Sequence, residues 1–145
     1  MLCVDGSEAA LEAVTNGLEL LRSPQRVLVV AVVEASDPML VTGTGMAGGV
    51  MSSDDFEELD RAAAADGWKL AEEAAARLHL DASEIHVLRG TPGPALCALA
   101  TQLPATAIVM GSRGRGGVAR ALLGSVSDYV VRNAPCPVVI SRAAG

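Results

Sequence analysis

Short apolar runs alternate along this chain with segments of helical periodicity, and this alternation strongly limits the folds open to it. Val27–Val33 is an unbroken run of Val, Leu and Ala, typical of a strand that is buried on both faces. Leu2–Val4 is a shorter apolar run that stops at a turn signal, Asp5-Gly6-Ser7. Between the two runs, apolar residues recur at helical spacing and predict a helix that ends near Arg22: Ala10, Leu11, Val14, Leu18 and Leu21. The chain therefore starts as a strand–helix–strand unit.

A long interruption follows the second strand. Residues 35–53 carry four glycines and three methionines, with neither helical nor strand periodicity. Loops of this length without internal structure are usually functional lids or disordered segments, so we expect a flexible loop here. Ser52 or Ser53 then caps a helix with acidic residues in its first turn, as its dipole favours. Its apolar stripe has a period close to 3.6: Phe56, Leu59, Ala63, Gly67, Leu70, Ala74 and Leu78.

The alternation then resumes to the end of the chain. Three further strands are predicted: Ile85–Leu88, Thr106–Met110 and Val138–Ser141. Between them lie a helix that includes Pro94 in its first turn and buries Leu96, Leu99, Ala100 and Leu103, and a second helix from about Ser125 to Asn133. Strands that alternate with helices predict one α/β domain over residues 1–145, with an open parallel sheet and helices on both faces.

Composition narrows the classes of function. The net charge is −6, and the chain has one Phe, one Tyr and one Trp, so neither a basic surface nor a row of stacking aromatics favours nucleic acid. Charge near a site matters more than total charge, because salt screens over about 8 Å. Arg113, Arg115 and Arg120 lie close together, and no acidic residue occurs between Glu84 and Asp128. This local excess of positive charge is compatible with a small anionic ligand.

The three cysteines offer no metal or redox motif. Cys3, Cys97 and Cys136 are odd in number and widely spaced, without a C-x-x-C pair or a Cys/His cluster. We interpret them as reduced core thiols and expect a cytoplasmic protein, since no signal peptide or membrane span is visible. His79, His86 and the acidic stretch Asp54–Asp60 are interpreted as solvated or structural rather than as metal ligands.

The end of the fourth predicted strand carries the pattern that most favours ligand binding. Met110 runs directly into the glycine-rich segment Gly111–Gly117, and glycine returns at Gly124, before the helix that starts near Ser125. Glycines let successive N–H groups converge on an anion, and a helix N-terminus adds further N–H groups and partial positive charge. The alternative is a plain surface turn, with Ser125 as an N-cap and Asp128 completing a capping box. The position of the glycines after a buried strand and before a helix favours a phosphate site.

The spacing of these glycines resembles that of a known family. Gly111, two residues, Gly114, nine residues and then Gly124-Ser125 fits the G-x2-G-x9-G-[S/T] signature of the nucleotide-binding universal stress proteins. Asp5-Gly6-Ser7 after the first strand, Gly90-Thr91-Pro92 after the third and residues 134–138 before the fifth are similar to that family too. The resemblance implies a Rossmann-like sheet of strand order 3-2-1-4-5 and an adenine nucleotide, ATP with or without Mg²⁺, as ligand.

Carried to this sequence, the resemblance also implies a set of nucleotide-binding residues. Cys3, Val4 and Asp5 would border the adenine and ribose, and Val32 would offer backbone groups to the adenine. Met110 and Gly111 would form the floor of the ribose pocket. The phosphates would lie between two segments of the loop: Ser112, Arg113, Gly114, Arg115, Gly116 and Gly117 on one side, and Gly124, Ser125, Val126 and Ser127 on the other.

The resemblance carries three further expectations. No carboxylate cage for a divalent ion is visible, so phosphates and water would supply most ligands of any Mg²⁺. The last strand, with Val138, Val139 and Ile140, would be an exposed edge that pairs with a second subunit in a homodimer. No nucleophile–base pair is apparent, so we expect a regulatory protein whose ATP hydrolysis is at most slow.

Three other functions stay open at this point. A member of the same family that binds cyclic AMP would share the adenine and ribose contacts. An adenylating ATP pyrophosphatase has a similar topology but carries an S-G-G-x-D-S loop after its first strand, where this chain has Asp5-Gly6-Ser7-Glu8. A dimerisation module with a vestigial pocket would not need the glycines or Ser125.

Overall fold

The computed structural model describes residues 1–21, 26–34, 52–80, 84–112 and 123–142. Within these ranges the chain forms five strands: β1 (Leu2–Val4), β2 (Val29–Val33), β3 (Ile85–Arg89), β4 (Ile108–Gly111) and β5 (Val138–Ser141). The helices are α1 (Glu8–Glu19), α2 (Ser53–Arg77), α3 (Pro92–Gln102) and α4 (Ser125–Asn133). The predicted flexible loop, residues 35–53, lies outside the described residues except for Ser52 and Ser53, which begin α2.

All strand pairs are parallel, and the strand order is β3-β2-β1-β4-β5, as predicted. The register places Cys3 beside Val30 on one side and beside Met110 on the other. The strand order reverses at β1, because the chain runs from β1 outward to β2 and β3 and then returns to β4 on the opposite side. This point of reversal is where an open α/β sheet forms a crevice at the carboxyl ends of its strands.

The core is divided by the sheet into two layers. Helices α1 and α2 cover one face, where Val14 and Ala71 pack with Val109. Helices α3 and α4 cover the other face, where Leu96 and Val130 pack with Ile108. Small residues bring the helices close, since a β-carbon added at Gly67 would lie 2.7 Å from Val87 Cγ1 and 2.8 Å from Val33 Cγ1. A sheet covered so closely suits a chain with few aromatic side chains.

Some element boundaries, and the burial of one residue, differ from the sequence predictions. Helix α1 ends at Glu19 rather than near Arg22, because the N–H of Leu20 already closes a tighter turn on Gly17. Strand β4 starts at Ile108 rather than Thr106. The stripe predicted for α2 is wrong at Leu59, which is 48% exposed. None of the described helices is long and apolar enough to cross a membrane.

Candidate functional site

Two strand ends meet at the point of reversal. The ladder between β1 and β4 pairs Cys3 with Met110, so Val4 and Gly111 follow side by side at the carboxyl edge. The chain leaves β1 toward α1 on one face of the sheet, and α4, which precedes β5, lies on the other face. The two exits therefore diverge above β1 and β4, where an open sheet of this topology forms its crevice, between residues predicted from sequence to bind nucleotide.

The turn after β1 is fixed by its own side chains. Asp5 Oδ1 accepts hydrogen bonds from the backbone N–H of Ser7 at 3.0 Å and from the Ser7 hydroxyl at 2.7 Å. Ser7 Oγ in turn accepts from the N–H of Ala10 at 3.1 Å and caps α1. Gly6 takes a φ of 81°, a conformation that side chains with a β-carbon rarely adopt. The wall that Asp5 presents to the crevice is thereby pre-organised.

The other wall is the junction between β4 and α4. Ser112 follows β4, and its N–H donates to the carbonyl of Ser141 at 2.8 Å. The carbonyl of Ser112 accepts from the N–H of Gly124 and from the hydroxyl of Ser127, each at 2.8 Å. Ser127 also donates to the carbonyl of Gly124 at 3.0 Å. These bonds join the two ends of the glycine-rich loop and hold the start of α4 against the end of β4.

The N-cap of α4 is Gly124, which corrects the alternative interpretation of Ser125 as the cap. Gly124 has no side chain to accept from the first N–H groups of the helix, and Asp128 pairs with Arg132 at 3.0 Å instead of completing a capping box. The first N–H groups of a helix have no partner within the helix. The start of α4 therefore has no cap from its own N-cap side chain.

The sequence predicted Ser125, Val126 and Ser127 as one side of a phosphate site, and the structure gives them different surroundings. Ser125 is exposed and Val126 is half-buried. Ser127 is only 2% exposed, and its hydroxyl donates inside the protein, so it positions the loop ends. The hydroxyl of Ser125 is therefore exposed at the start of the helix, whereas the buried hydroxyl of Ser127 holds that start in place.

Val32 lies at the same edge, next to the crevice. The ladder between β1 and β2 ends at Val4 and Ala31, whereas β2 continues to Val33 beside β3. Val32 is therefore one residue beyond the end of the β1 ladder, at a position where its backbone faces the crevice side. The carbonyl of Val33 is already engaged, since it accepts from the N–H of Gly90 at 3.0 Å.

The thiol of Cys3 lies buried next to the crevice. Burial raises the pKa of Cys3 to about 12, so the side chain is a neutral, small apolar group at ordinary pH. Burial also raises the pKa values of Cys97 and Cys136. All three are free thiols, and no group of three His, Cys, Asp or Glu side chains within the described ranges is placed to hold a metal ion.

Five of the predicted binding residues lie outside the described residues: Arg113, Gly114, Arg115, Gly116 and Gly117. The predicted residues that the structure does bring to one edge come from β1, β2, β4 and the start of α4. Sequence inspection did not find the bonds that join Ser112 to Gly124 and Ser127. The only signal for them was a Ser three residues after the last glycine of the motif.

One acidic residue has a role that the sequence did not indicate. Asp60, interpreted above as part of a solvated cluster, forms an ion pair with Arg89 at the end of β3. Arg89 Nη2 also donates to the backbone carbonyl of Asp60 at 3.0 Å. The predicted solvated cluster is therefore wrong for this residue, because tertiary packing supplies a partner 29 positions away.

Fold and crevice together define an open, parallel α/β protein with its candidate ligand site at the point where the strand order reverses. Residues 1–142 match the model of the universal stress protein family. The chain is 31% identical over 139 residues to universal stress protein MJ0531 of Methanocaldococcus jannaschii, covering 95% of this chain and 78% of that protein. This chain belongs to the universal stress protein family.

Solved structures share the fold. Universal stress protein UspA from Lactobacillus plantarum superposes with a TM-score of 0.69 at 21% identity, covering 97% of this chain and 94% of that one. A universal stress protein in complex with cAMP superposes with a TM-score of 0.63 at 24% identity, covering 99% of this chain and 95% of that one.

Proposed function

We propose that this protein binds ATP at the crevice above β1 and β4 and acts as a regulator in the stress response. The observation that carries the proposal is the pair of hydrogen bonds to the carbonyl of Ser112, from Gly124 N–H and Ser127 Oγ. They hold an uncapped helix N-terminus beside the ends of two central strands, at the closing end of a G-x2-G-x9-G-S motif. Backbone N–H groups in that arrangement favour phosphate.

The remaining parts of the nucleotide find matching chemistry around the crevice. Cys3 and Met110 offer small apolar surface where β1 meets β4, and Val32 offers backbone groups for the edge of an adenine ring. Arg113 and Arg115 would neutralise phosphate charge. Any Mg²⁺ would be held by the phosphates and water, since the described residues supply no cage of carboxylates.

The proposal is for binding with at most slow hydrolysis. Asp5 is the acidic residue at the crevice, and its Oδ1 is committed to the N–H and hydroxyl of Ser7. Cys3 is held neutral by burial. General-base or nucleophilic catalysis requires a group of matched pKa within reach of the reacting atoms. We therefore assign these residues to ligand recognition.

We also propose that the protein is a cytoplasmic homodimer through β5. This strand is at the end of the sheet order, with Val138, Val139 and Ile140 half-buried. Parallel strands alternate the direction of their backbone groups, and Pro137 and Ser141 direct their carbonyls to β4. Val138 and Ile140 accordingly direct N–H and C=O groups away from the sheet, where a second β5 would satisfy them.

Cyclic AMP is the second candidate ligand. The structural similarity to a family member in complex with cAMP supports it. ATP and cyclic AMP would share the adenine and ribose contacts. The two nucleotides differ in the phosphates that a glycine-rich loop would hold.

Titration calorimetry with millimolar ATP and Mg²⁺ tests the proposal, with cyclic AMP as competitor. We expect ATP to bind more tightly than cyclic AMP, and the variants Gly114→Ala and Gly124→Ala to weaken ATP binding. Arg26→Gln is the control, because Arg26 pairs with Glu84 away from the crevice. No heat of binding with either nucleotide, or unchanged affinity in both glycine variants, would refute the proposal.

A further inference from the structure

Helices α3 and α4 meet near their starts, at the carboxyl edge of the sheet. Helix α3 starts at Pro92, shortly after β3, and α4 starts at Ser125, after the glycine-rich loop that leaves β4. Both helices cover the face of the sheet on which the side chains of Cys3, Val32 and Met110 pack. The two helix starts therefore lie on the same face as the residues predicted to contact the base and the ribose.

Tyr129 of α4 packs directly on Gly93 of α3. A β-carbon added at Gly93, the second residue of α3, would lie 2.7 Å from Tyr129 Cδ1, 2.9 Å from Tyr129 Cγ and 3.0 Å from Tyr129 Cβ. Tyr129 is one turn from the start of α4 and is 40% exposed, whereas Gly93 is buried. The root of the tyrosine side chain thus rests on the main chain of the first turn of α3.

The start of α4 is held from more than one direction. Ser127 ties it to the end of β4 through its bond to the carbonyl of Ser112. Val130 is fully buried and packs with Ile108 on the sheet. The side chain of Tyr129 lies between these two anchors in sequence and contacts the neighbouring helix, so it sets the distance between α4 and α3.

The first turn of α3, on which Tyr129 rests, is itself joined to the base side of the crevice. The N–H of Gly90, just before α3, donates to the carbonyl of Val33 at 3.0 Å and so joins the start of the helix to the end of β2. Val33 follows Val32, whose backbone groups the proposed function assigns to the adenine. Through Gly93, the start of α4 is therefore positioned relative to β2 as well as relative to β4.

We infer that Tyr129 is a positioning residue for the phosphate part of the nucleotide site, because its packing on Gly93 sets how far the α4 N-terminus lies from the base side. The inference rests on the proposed function, since it assigns the contact that spaces the two parts of that same site. The attraction of a helix start for an anion falls off within the first turn. A shift of α4 should therefore weaken contacts with the phosphates and leave contacts with the base and the ribose unchanged.

Two substitutions disturb this contact in opposite ways. In Gly93→Ala the new methyl group meets Tyr129 Cβ at 3.0 Å, and because rotation about χ1 does not move that atom, the two helices have to move apart slightly. In Tyr129→Ala the ring is removed, so α4 loses its spacing from α3. We expect both variants to bind ATP more weakly, by about fivefold for Tyr129→Ala, and to bind adenosine as wild type does.

The first test measures ATP binding by calorimetry and adenosine binding by nuclear magnetic resonance titration. Tyr129→Phe keeps Cβ, Cγ and Cδ1, the atoms next to Gly93, and should bind ATP as wild type does. Val131→Ala is the matched control, because it shortens a side chain of the same helix that is 47% exposed. In a Tyr129→Ala background, Gly93→Ala should cause little further loss, since both changes act on one contact. Thermal unfolding shows that each variant is folded.

The second test needs no ligand. The N–H groups of Gly124 and Asp128 donate to the carbonyls of Ser112 and Gly124 at 2.8 and 2.9 Å, so their hydrogen exchange reports whether the start of α4 stays in place. We expect faster exchange at both amides in Tyr129→Ala than in wild type. Val131→Ala should exchange at the wild-type rate.

The outcomes separate this inference from the proposed function. If wild type binds ATP and Tyr129→Ala binds it equally tightly, the positioning role is refuted and the proposed function stands. An equal loss for ATP and adenosine would overturn the assignment to the phosphates. A loss of ATP affinity in Tyr129→Phe would assign the effect to the hydroxyl and overturn the role of the packing, and so would unchanged exchange at Gly124 and Asp128 in Tyr129→Ala. If wild type binds no nucleotide, the proposed function fails, and the exchange test still decides whether Tyr129 positions the start of α4.

Discussion

The hydroxyl of Ser127 donates to the carbonyl of Ser112 at 2.8 Å, across 15 positions of sequence and with both residues buried. This bond and the parallel one from Gly124 join the end of β4 to the start of α4. The glycine-rich loop therefore leaves and re-enters the fold at two points that are fixed relative to each other. The candidate phosphate site depends on that geometry.

Replacement of Ser127 by Ala should lower both stability and affinity. It removes the hydroxyl donor and leaves the Ser112 carbonyl with one partner, so we expect the free energy of unfolding to fall by about 1–2 kcal/mol. Urea unfolding measures the change, and calorimetry with ATP should show weaker binding. Ser125→Ala is the control for stability alone, since its hydroxyl is exposed and it belongs to the predicted phosphate site. Equal stability of the two variants would contradict the role of Ser127.

Gly67→Ala should destabilise the protein, although alanine favours a helix over glycine by about 1 kcal/mol. The new methyl group would meet Val87 at 2.7 Å and Val33 at 2.8 Å, and forced packing of this kind costs about 1–3 kcal/mol. We expect a net loss near 1 kcal/mol in urea unfolding. In a Val87→Ala background, where the contact with Val33 remains, the same change should cost less. A stabilised Gly67→Ala single variant would show that the helix can move away freely.

The buried thiol of Cys3 predicts a pH dependence of stability. Its pKa is raised by burial from 9.0 to about 12, so the folded protein keeps the thiol protonated where the unfolded chain loses the proton. Below pH 9 the buried thiol makes its full contribution to the free energy of unfolding. As the pH rises from 9 toward 12, the free energy of unfolding falls by up to about 1.4 kcal/mol per pH unit. Urea unfolding from pH 8 to 10.5 should show a steeper decline for wild type than for Cys3→Ala. Parallel curves would contradict this assignment.

The edge of β5 gives a test of the proposed dimer. Ile140→Pro removes an N–H that points away from β4, so the β4–β5 ladder should survive while pairing with a second subunit is lost. Analytical ultracentrifugation should show a monomer for this variant. Ile140→Ala controls for the lost side-chain packing and should remain dimeric. If Ile140→Pro is also a dimer, the interface lies elsewhere.

Elements whose signals are local could be predicted well from sequence. Helix α4 and strand β5 have the predicted bounds, because each is flanked by glycine or proline. The strand order followed from a family resemblance carried by the glycine spacing. Interactions between residues that are distant in sequence could not be predicted. Leu59 fits the period of α2, yet it is exposed, and no local pattern reveals how much of a helix face its neighbours cover.

In the candidate site too, local features could be predicted from sequence, whereas contacts between distant residues could not. Asp5, Gly6 and Ser7 form a turn within a few residues, and the presence of this turn could be predicted from residue type alone. The ties between Ser112 and Ser127 bring together residues that are distant in sequence, and the same holds for Arg89 and Asp60. Whether such pairs form depends on the relative placement of whole helices and strands.

The ties between Ser112, Gly124 and Ser127 have a consequence for protein engineering. The ends of the loop, Ser112 and Gly124, are joined to each other by a direct bond, and Ser127 adds a second bond to Ser112. Each doubling of a flexible loop costs only about 0.6 kcal/mol in closure entropy. Ser112 and Gly124 therefore offer two fixed attachment points, between which segments of other length and charge can be grafted to alter ligand preference.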